Sequence, residues 1–170
     1  MELFNLDKSK QYIIVGVSKC GSTSFHKYLQ QNGYNVEKCD GWFHLQEYID
    51  GFGLSPHTKG KVPLVILRDP VERAWSHYHY LFQNKSVEDT PDEIKAKRLE
   101  EVSRKSCYTE YLGGWIDKGA HVFWHEEIKD LPGFPHENKT ISKPELDSKT
   151  RKYIENYIMD EYYSFNQSLE

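Results

Sequence analysis

The 170 residues suffice for one domain with a real core and are too few for a second independent one; 38% hydrophobic against 28% charged residues excludes wholesale disorder. A formal net charge of −4 gives no global attraction to nucleic acid or anionic membrane, so an anionic ligand has to be held by a local cluster of donors. Nowhere do about 18 consecutive apolar residues occur, which excludes a helical membrane span. Cys20, Cys39 and Cys107 are odd in number and irregularly spaced, with neither a C-x-x-C pair nor a zinc-type Cys/His array, which fits a reducing compartment. Met1 to Lys10 carries Glu2, Asp7, Lys8 and Lys10 and no apolar run of signal-peptide length, so we expect a single cytoplasmic domain over residues 1–170.

In chain order, Gln11 to Val17 (QYIIVGV) is a short β-branched apolar run that reads as a buried strand. Ser22 to Gln31 reads as a helix, capped by Ser22 or Gly21 in front and Gly33 behind, with Phe25, Tyr28 and Leu29 on one face. Tyr34 to Val36 is a candidate minor strand, Phe43 to Asp50 a short helix and Gly51 to Lys61 a connection. Val62 to Leu67 is the second strong strand; it feeds a helix over Val71 to Phe82, with Asp69 as N-cap and Pro70 at the first helical position. Asn84 to Asp92 reads as an exposed loop, and Glu93 to Arg104 as a highly charged helix with little apolar face, together a candidate flap. Cys107 to Ile116 reads as a helix ending near Gly119, His121 to Trp124 as a strand, Leu131 to Pro144 as loop, and Lys149 to Tyr163 as a closing amphipathic helix. Two strand-loop-helix units imply an α/β fold: a P-loop-like, three-layer domain with a central parallel sheet flanked by helices.

The first chemical motif is Gly16-Val17-Ser18-Lys19-Cys20-Gly21-Ser22-Thr23, set between a strand and a helix. A loop there aims successive backbone N–H groups and the positive helix end at one point, Gly21 permits close backbone approach, and Ser22 and Thr23 add hydroxyls. A Walker A loop places lysine directly after its second glycine, whereas here that residue is Ser22 and the lysine stands before it at position 19. The second motif, LVILRDPVERAWSHYHY over residues 64–80, puts Arg68 at the carboxyl end of its strand, where ligands of open α/β sheets bind, with Ser76 on the following helix.

Together KCGSTSF and LRDPVERAWSHY resemble the two signatures of the PAPS-dependent sulfotransferases (PAPS, 3′-phosphoadenosine 5′-phosphosulfate), most closely the carbohydrate-modifying, heparan sulfate 2-O type branch. The resemblance spans roughly residues 11–165, its later pieces being unspecific. It implies transfer of a sulfuryl group to a hydroxyl or amine acceptor, leaving PAP (adenosine 3′,5′-bisphosphate). Lys19, Cys20, Gly21, Ser22, Thr23 and Ser24 are then expected around the 5′-phosphosulfate, with Lys19 also at the bridging oxygen, and Arg68 and Ser76 at the 3′-phosphate. Arg73 matches the motif too and reads as a structural partner. The chain departs from the family at Cys20, usually Gly, Ser or Thr, and at Ser18, often Pro; neither change removes a charged donor.

Such a transfer needs positive charge at the leaving oxygen, which Lys19 supplies, and a base for the acceptor proton. His44 is the first candidate, placed 24 positions before Arg68, close to where the resembled branch has a catalytic histidine; Asp40, Glu47 and His57 are alternatives. No metal is required by this scheme. His77 and His79, two apart on a helix, face different directions and do not share one. Trp42, Phe43, Trp75 and Trp115 suit core packing better than ligand stacking. The expected partner is a small-molecule or glycan acceptor, with no nucleic acid. Two rival readings are a P-loop nucleotide kinase or NTPase, which the position of Lys19 disfavours, and an inactive nucleotide-binding module of the same fold.

Overall fold

The computed structural model describes residues 3–16, 20–38, 59–81, 92–104, 115–117, 119–136 and 143–169, with the backbone alone for 3, 16, 104 and 159–169. The elements are β1 (Gln11–Gly16), α1 (Ser22–Gln31), β2 (Asn35–Lys38), β3 (Lys61–Leu67), α2 (Pro70–Leu81), α3 (Asp92–Arg104), β4 (His121–Trp124), α4 (His125–Ile128) and α5 (Ser148–Leu169). They gather into two compact units, Met1–Leu67 with Gly114–Asn138 and Arg68–Gly113 with Lys139–Glu170.

The first unit is built on a four-stranded sheet of order β2-β1-β3-β4 in which every pairing is parallel. Consecutive residues Ile13, Ile14 and Val15 of β1 and Leu64 to Leu67 of β3 are all buried. Neighbours on a strand point to opposite faces, so both faces of the central strands are covered, as the continuous apolar runs require of an α/β sheet. Pro63 lacks an N–H, yet β4 pairs with β3 only from Leu64 onward, so no β4 residue needs one there. The chain leaves β1, crosses through α1 to β2 on one side, and later enters β3 on the other side of β1. That reversal makes a switch point at the carboxyl ends of β1 and β3, where Gly16 lies opposite Ile66.

α1 buries Phe25, Tyr28 and Leu29 as its spacing predicts. It ends where Gly33 takes φ +85°. Tyr34 N–H then donates to Leu29 O and Gly33 N–H to Gln30 O, both at 3.1 Å, a left-handed cap that only glycine adopts without strain. Gly119, with φ +86°, closes the helical turn at 115–117 in the same way, Ala120 N–H bonding Trp115 O and Gly119 N–H bonding Ile116 O.

The second unit is helical, and its core gathers Val71, Ala74, Trp75 and Tyr78 of α2, Val102 of α3, and Ile154 and Ile158 of α5. Asp69 caps α2, its Oδ1 accepting from the N–H groups of Val71 at 2.9 Å and Glu72 at 3.2 Å. Arg73 is fully buried; its guanidinium donates to Val102 O and to His77 Nδ1, each at 2.9 Å. Because an arginine can only donate, His77 Nδ1 is the acceptor and carries no proton.

Three expectations are corrected. The charged helix begins at Asp92 rather than after it, and its last turn is built into the core through Val102, with Leu99 packed alongside, rather than being a wholly solvated flap. Two apolar residues placed three apart suffice to seat an otherwise polar helix. The minor strand runs Asn35–Lys38, two residues beyond Val36. The closing helix starts at Ser148, because Asp147 caps it through Thr150, and continues to Leu169. The expected helix over Phe43 to Asp50, the connection over residues 51–58 and the loop over residues 84–91 lie outside the described residues, as does the expected helix before residue 115.

Candidate functional site

The loop after β1 leads into α1 at the carboxyl edge of the sheet. Gly21 is the N-cap of α1, with φ 84° and ψ 20°, and its carbonyl accepts from Phe25 N–H at 3.0 Å. Having no side chain, Gly21 supplies no capping hydrogen bond to the first turn, and no acidic residue stands in that turn. The start of α1 therefore combines the positive end of a helix dipole with a glycine in the left-handed region, both of which favour an approaching anion.

The side chains around this point come from three strands' ends. Cys20 is fully buried and Ser24 nearly so, while Ser22 and Thr23 are half-buried. Cys20 is thus a buried core residue and not an exposed donor. At the end of β2, Lys38 Nζ donates to Thr23 Oγ1 at 3.0 Å. Directly after β4, His125 lies against Gly21: a Cβ added to that glycine would stand 2.6 Å from His125 Cδ2. A side chain there would have to displace the His125 ring, and the left-handed φ of Gly21 strains any other residue.

Of the residues expected around a phosphosulfate, the fold brings Cys20, Gly21, Ser22, Thr23 and Ser24 together at the start of α1; Lys19 lies outside the described residues. Arg68 is the residue that follows β3, half-buried, and Ser76 is buried on α2 at 4% exposure. His44, Asp40, Glu47 and His57 also lie outside the described residues, as do Trp42 and Phe43. Trp75 and Trp115 are buried core residues. His77 and His79 diverge: His77 meets Arg73, whereas His79 lies edge-on to Trp75 at 4.2 Å between ring centres. Burial, with Lys143 adding, holds the His79 pKa below its ordinary value. Among the described residues no three His, Cys, Asp or Glu side chains gather as a metal site would need.

Two members of the cluster were not legible as site residues. Lys38 falls past the expected end of its strand, and His125 is remote in sequence from Gly21, joined to it only by the placement of β4 in the sheet. The one available signal was His125 following the apolar strand His121 to Trp124, at the sheet edge where ligands bind. Compared with known proteins, the chain matches no family model and no curated protein.

Proposed function

We propose that the protein is a sulfotransferase that uses PAPS as donor to a hydroxyl or amine acceptor, on a P-loop-like α/β scaffold. The observation that carries the reading is the glycine-capped start of α1, with Gly21 at φ 84° directly beyond β1, in a chain whose β3 is followed by Arg68-Asp69-Pro70. A dianionic phosphosulfate suits that cap: the first turn has no side-chain cap of its own and carries no carboxylate to repel it.

PAPS supplies the sulfuryl group to be transferred. The N–H groups at the start of α1, with the Ser22 and Thr23 hydroxyls, hold phosphosulfate oxygens, and Lys19 neutralises the leaving phosphate oxygen as the sulfur–oxygen bond breaks. Arg68 and Ser76 take the 3′-phosphate. His44 accepts the proton that the acceptor hydroxyl loses as its oxygen bonds to sulfur, with Asp40, Glu47 and His57 as the other candidates. A glycan or small hydroxylated molecule is the acceptor class, and the protein works in the cytoplasm.

Calorimetric titration with adenosine 3′,5′-bisphosphate, set against ATP with magnesium, tests this assignment. Micromolar or tighter binding of the bisphosphate is expected, weakened by about 1.5–3 kcal/mol in Arg68→Ala through loss of a charge-assisted contact, and weakened also in Lys19→Ala. Binding of magnesium ATP without binding of the bisphosphate refutes the sulfotransferase and favours a nucleotide kinase.

A further inference from the structure

In the helical unit the chain that leads into α5 runs against α2 as a strap over residues 143–146. Trp75 holds it: the indole Nε1–H donates to Pro144 O at 2.9 Å, and Leu146 packs on the core that Trp75 shares with Val71, Ala74 and Tyr78. The closure is incomplete. A recess of about 370 Å³, lined by Glu72 and Trp75 of α2 and by Lys143 to Leu146, stays open beside that hydrogen bond.

One turn on from Trp75, His79 stands edge-on to the indole at 4.2 Å between ring centres and to Tyr78 at 5.1 Å. The residue as a whole is half-buried, but its Nε2 is shut away from solvent and finds no hydrogen-bond partner among the described residues. An orphaned lone pair costs less than an orphaned N–H, so the proton of the neutral ring belongs on Nδ1 and Nε2 is bare. Charging the ring puts a hydrogen and part of a positive charge on that same buried nitrogen, with nothing to receive them. Burial, and after it the Lys143 ammonium, accordingly hold the His79 pKa below its ordinary value.

We propose that residues 143–146 are an acid-released strap: a charged His79 is accommodated when Trp75 lets go of Pro144 O, the indole turns aside and water from the recess reaches Nε2. Once the strap opens, His79 regains its ordinary pKa, so the open form binds more protons than the closed one. The closed form is therefore favoured in full above about pH 6.5 and loses that advantage as pH falls from there through the lowered value. The other charged groups at this place, among the described residues, are Lys143 and Glu145 on the strap, Glu72 on α2, paired with Arg151 of α5 at 2.8 Å, and Asp92 of α3, which acts on Tyr78. Lys143 works in the same direction, as a cation beside a new cation. Neutralising Glu72 or Glu145 would loosen the strap as well, but it would do so whether or not residue 79 is a histidine.

The test is NMR on the full chain in wild type, His79→Phe and His79→Gln. It follows the His79 ring and the hydrogen exchange of the Trp75 indole N–H, corrected for its intrinsic pH dependence, from about pH 8 to about pH 5, the window in which a histidine changes charge. In wild type the His79 ring should titrate below about 6.5, and Trp75 indole exchange should quicken several-fold over the same range as its bond to Pro144 O is lost. His79→Phe keeps an apolar ring against Trp75 and should abolish the acceleration, as should His79→Gln, which stays neutral throughout. Acceleration that persists in these variants belongs to a carboxylate and overturns the proposal. Indole exchange that stays flat while His79 titrates also overturns it, as does a His79 ring that titrates at or above about 6.5. Should His79→Phe not fold, His79→Gln and the wild-type titration carry the same comparison.

Discussion

The two units handle the same physical problem, the positive end of a helix, in opposite ways. In the helical unit each well-defined N-terminus is closed by its own carboxylate: Asp69 accepts from the first turn of α2, and Asp147 accepts from the Thr150 N–H and hydroxyl at 2.8 Å each at the start of α5. In the sheet unit α1 begins at Gly21, which has no side chain to cap with, and the nearby side chains are a hydroxyl backed by Lys38 and the imidazole of His125. A helix start satisfied by its own acid serves stability; one bordered by glycine, hydroxyls and a cation is where we propose that the donor's anionic end is held. Buried polar groups divide likewise. Arg73 is fully buried and bonds Val102 O and His77 Nδ1 within the helical unit, in keeping with the structural role that its place in the motif led us to expect.

The contrast is broken most forcefully by giving α1 an acid cap of the kind the other unit uses. Gly21→Asp should weaken bisphosphate binding by about 1.5–3 kcal/mol, because its carboxylate competes for the first-turn N–H groups and repels the anion. Calorimetry reads the effect directly, and retained affinity would mean that the anion does not sit at this cap. The reverse change, Asp69→Ala, removes an acid cap from α2 and should lower stability by about 1 kcal/mol in chemical denaturation. The smallest effect is a pH dependence. Hydrogen bonds from the Thr150 N–H and hydroxyl hold the Asp147 carboxyl below its ordinary pKa. Its contribution is therefore present above the ordinary carboxylate value and is lost as pH falls through the lowered one, so acid should fray the start of α5. Amide hydrogen exchange across Thr150 and Arg151 as a function of pH checks the sign; protection that rises on acidification contradicts it.

Much of this contrast was legible in the residues, and what was not has physical causes. β1 and β3 announced themselves as unbroken apolar runs because both of their faces are buried, and Asp69-Pro70 marked the start of α2 because a capping carboxylate followed by proline has few other uses. Gly33 was legible as a helix stop for the same reason: its left-handed angle excludes other residues at little cost only when glycine is present. Asp147 escaped because the start of α5 was read from its apolar spacing, which begins later than its cap. Lys38 and Val102 escaped because polar surroundings hid them, one ending a short edge strand and the other seated by two apolar positions in a charged helix. His125 could not be reached by local pattern at all. Its contact with Gly21 exists because β4 joins the sheet beside β3, a long-range pairing that no short window contains.

If the start of α1 holds the 5′-phosphosulfate end of the donor, backbone amide NMR during addition of adenosine 3′,5′-bisphosphate should show its largest shifts on the N–H groups of Gly21, Ser22 and Thr23, with smaller ones at Lys38 and His125. Saturable binding whose largest shifts lie instead along Asp92–Arg104 or Ser148–Leu169, with residues 20–24 unmoved, would contradict it.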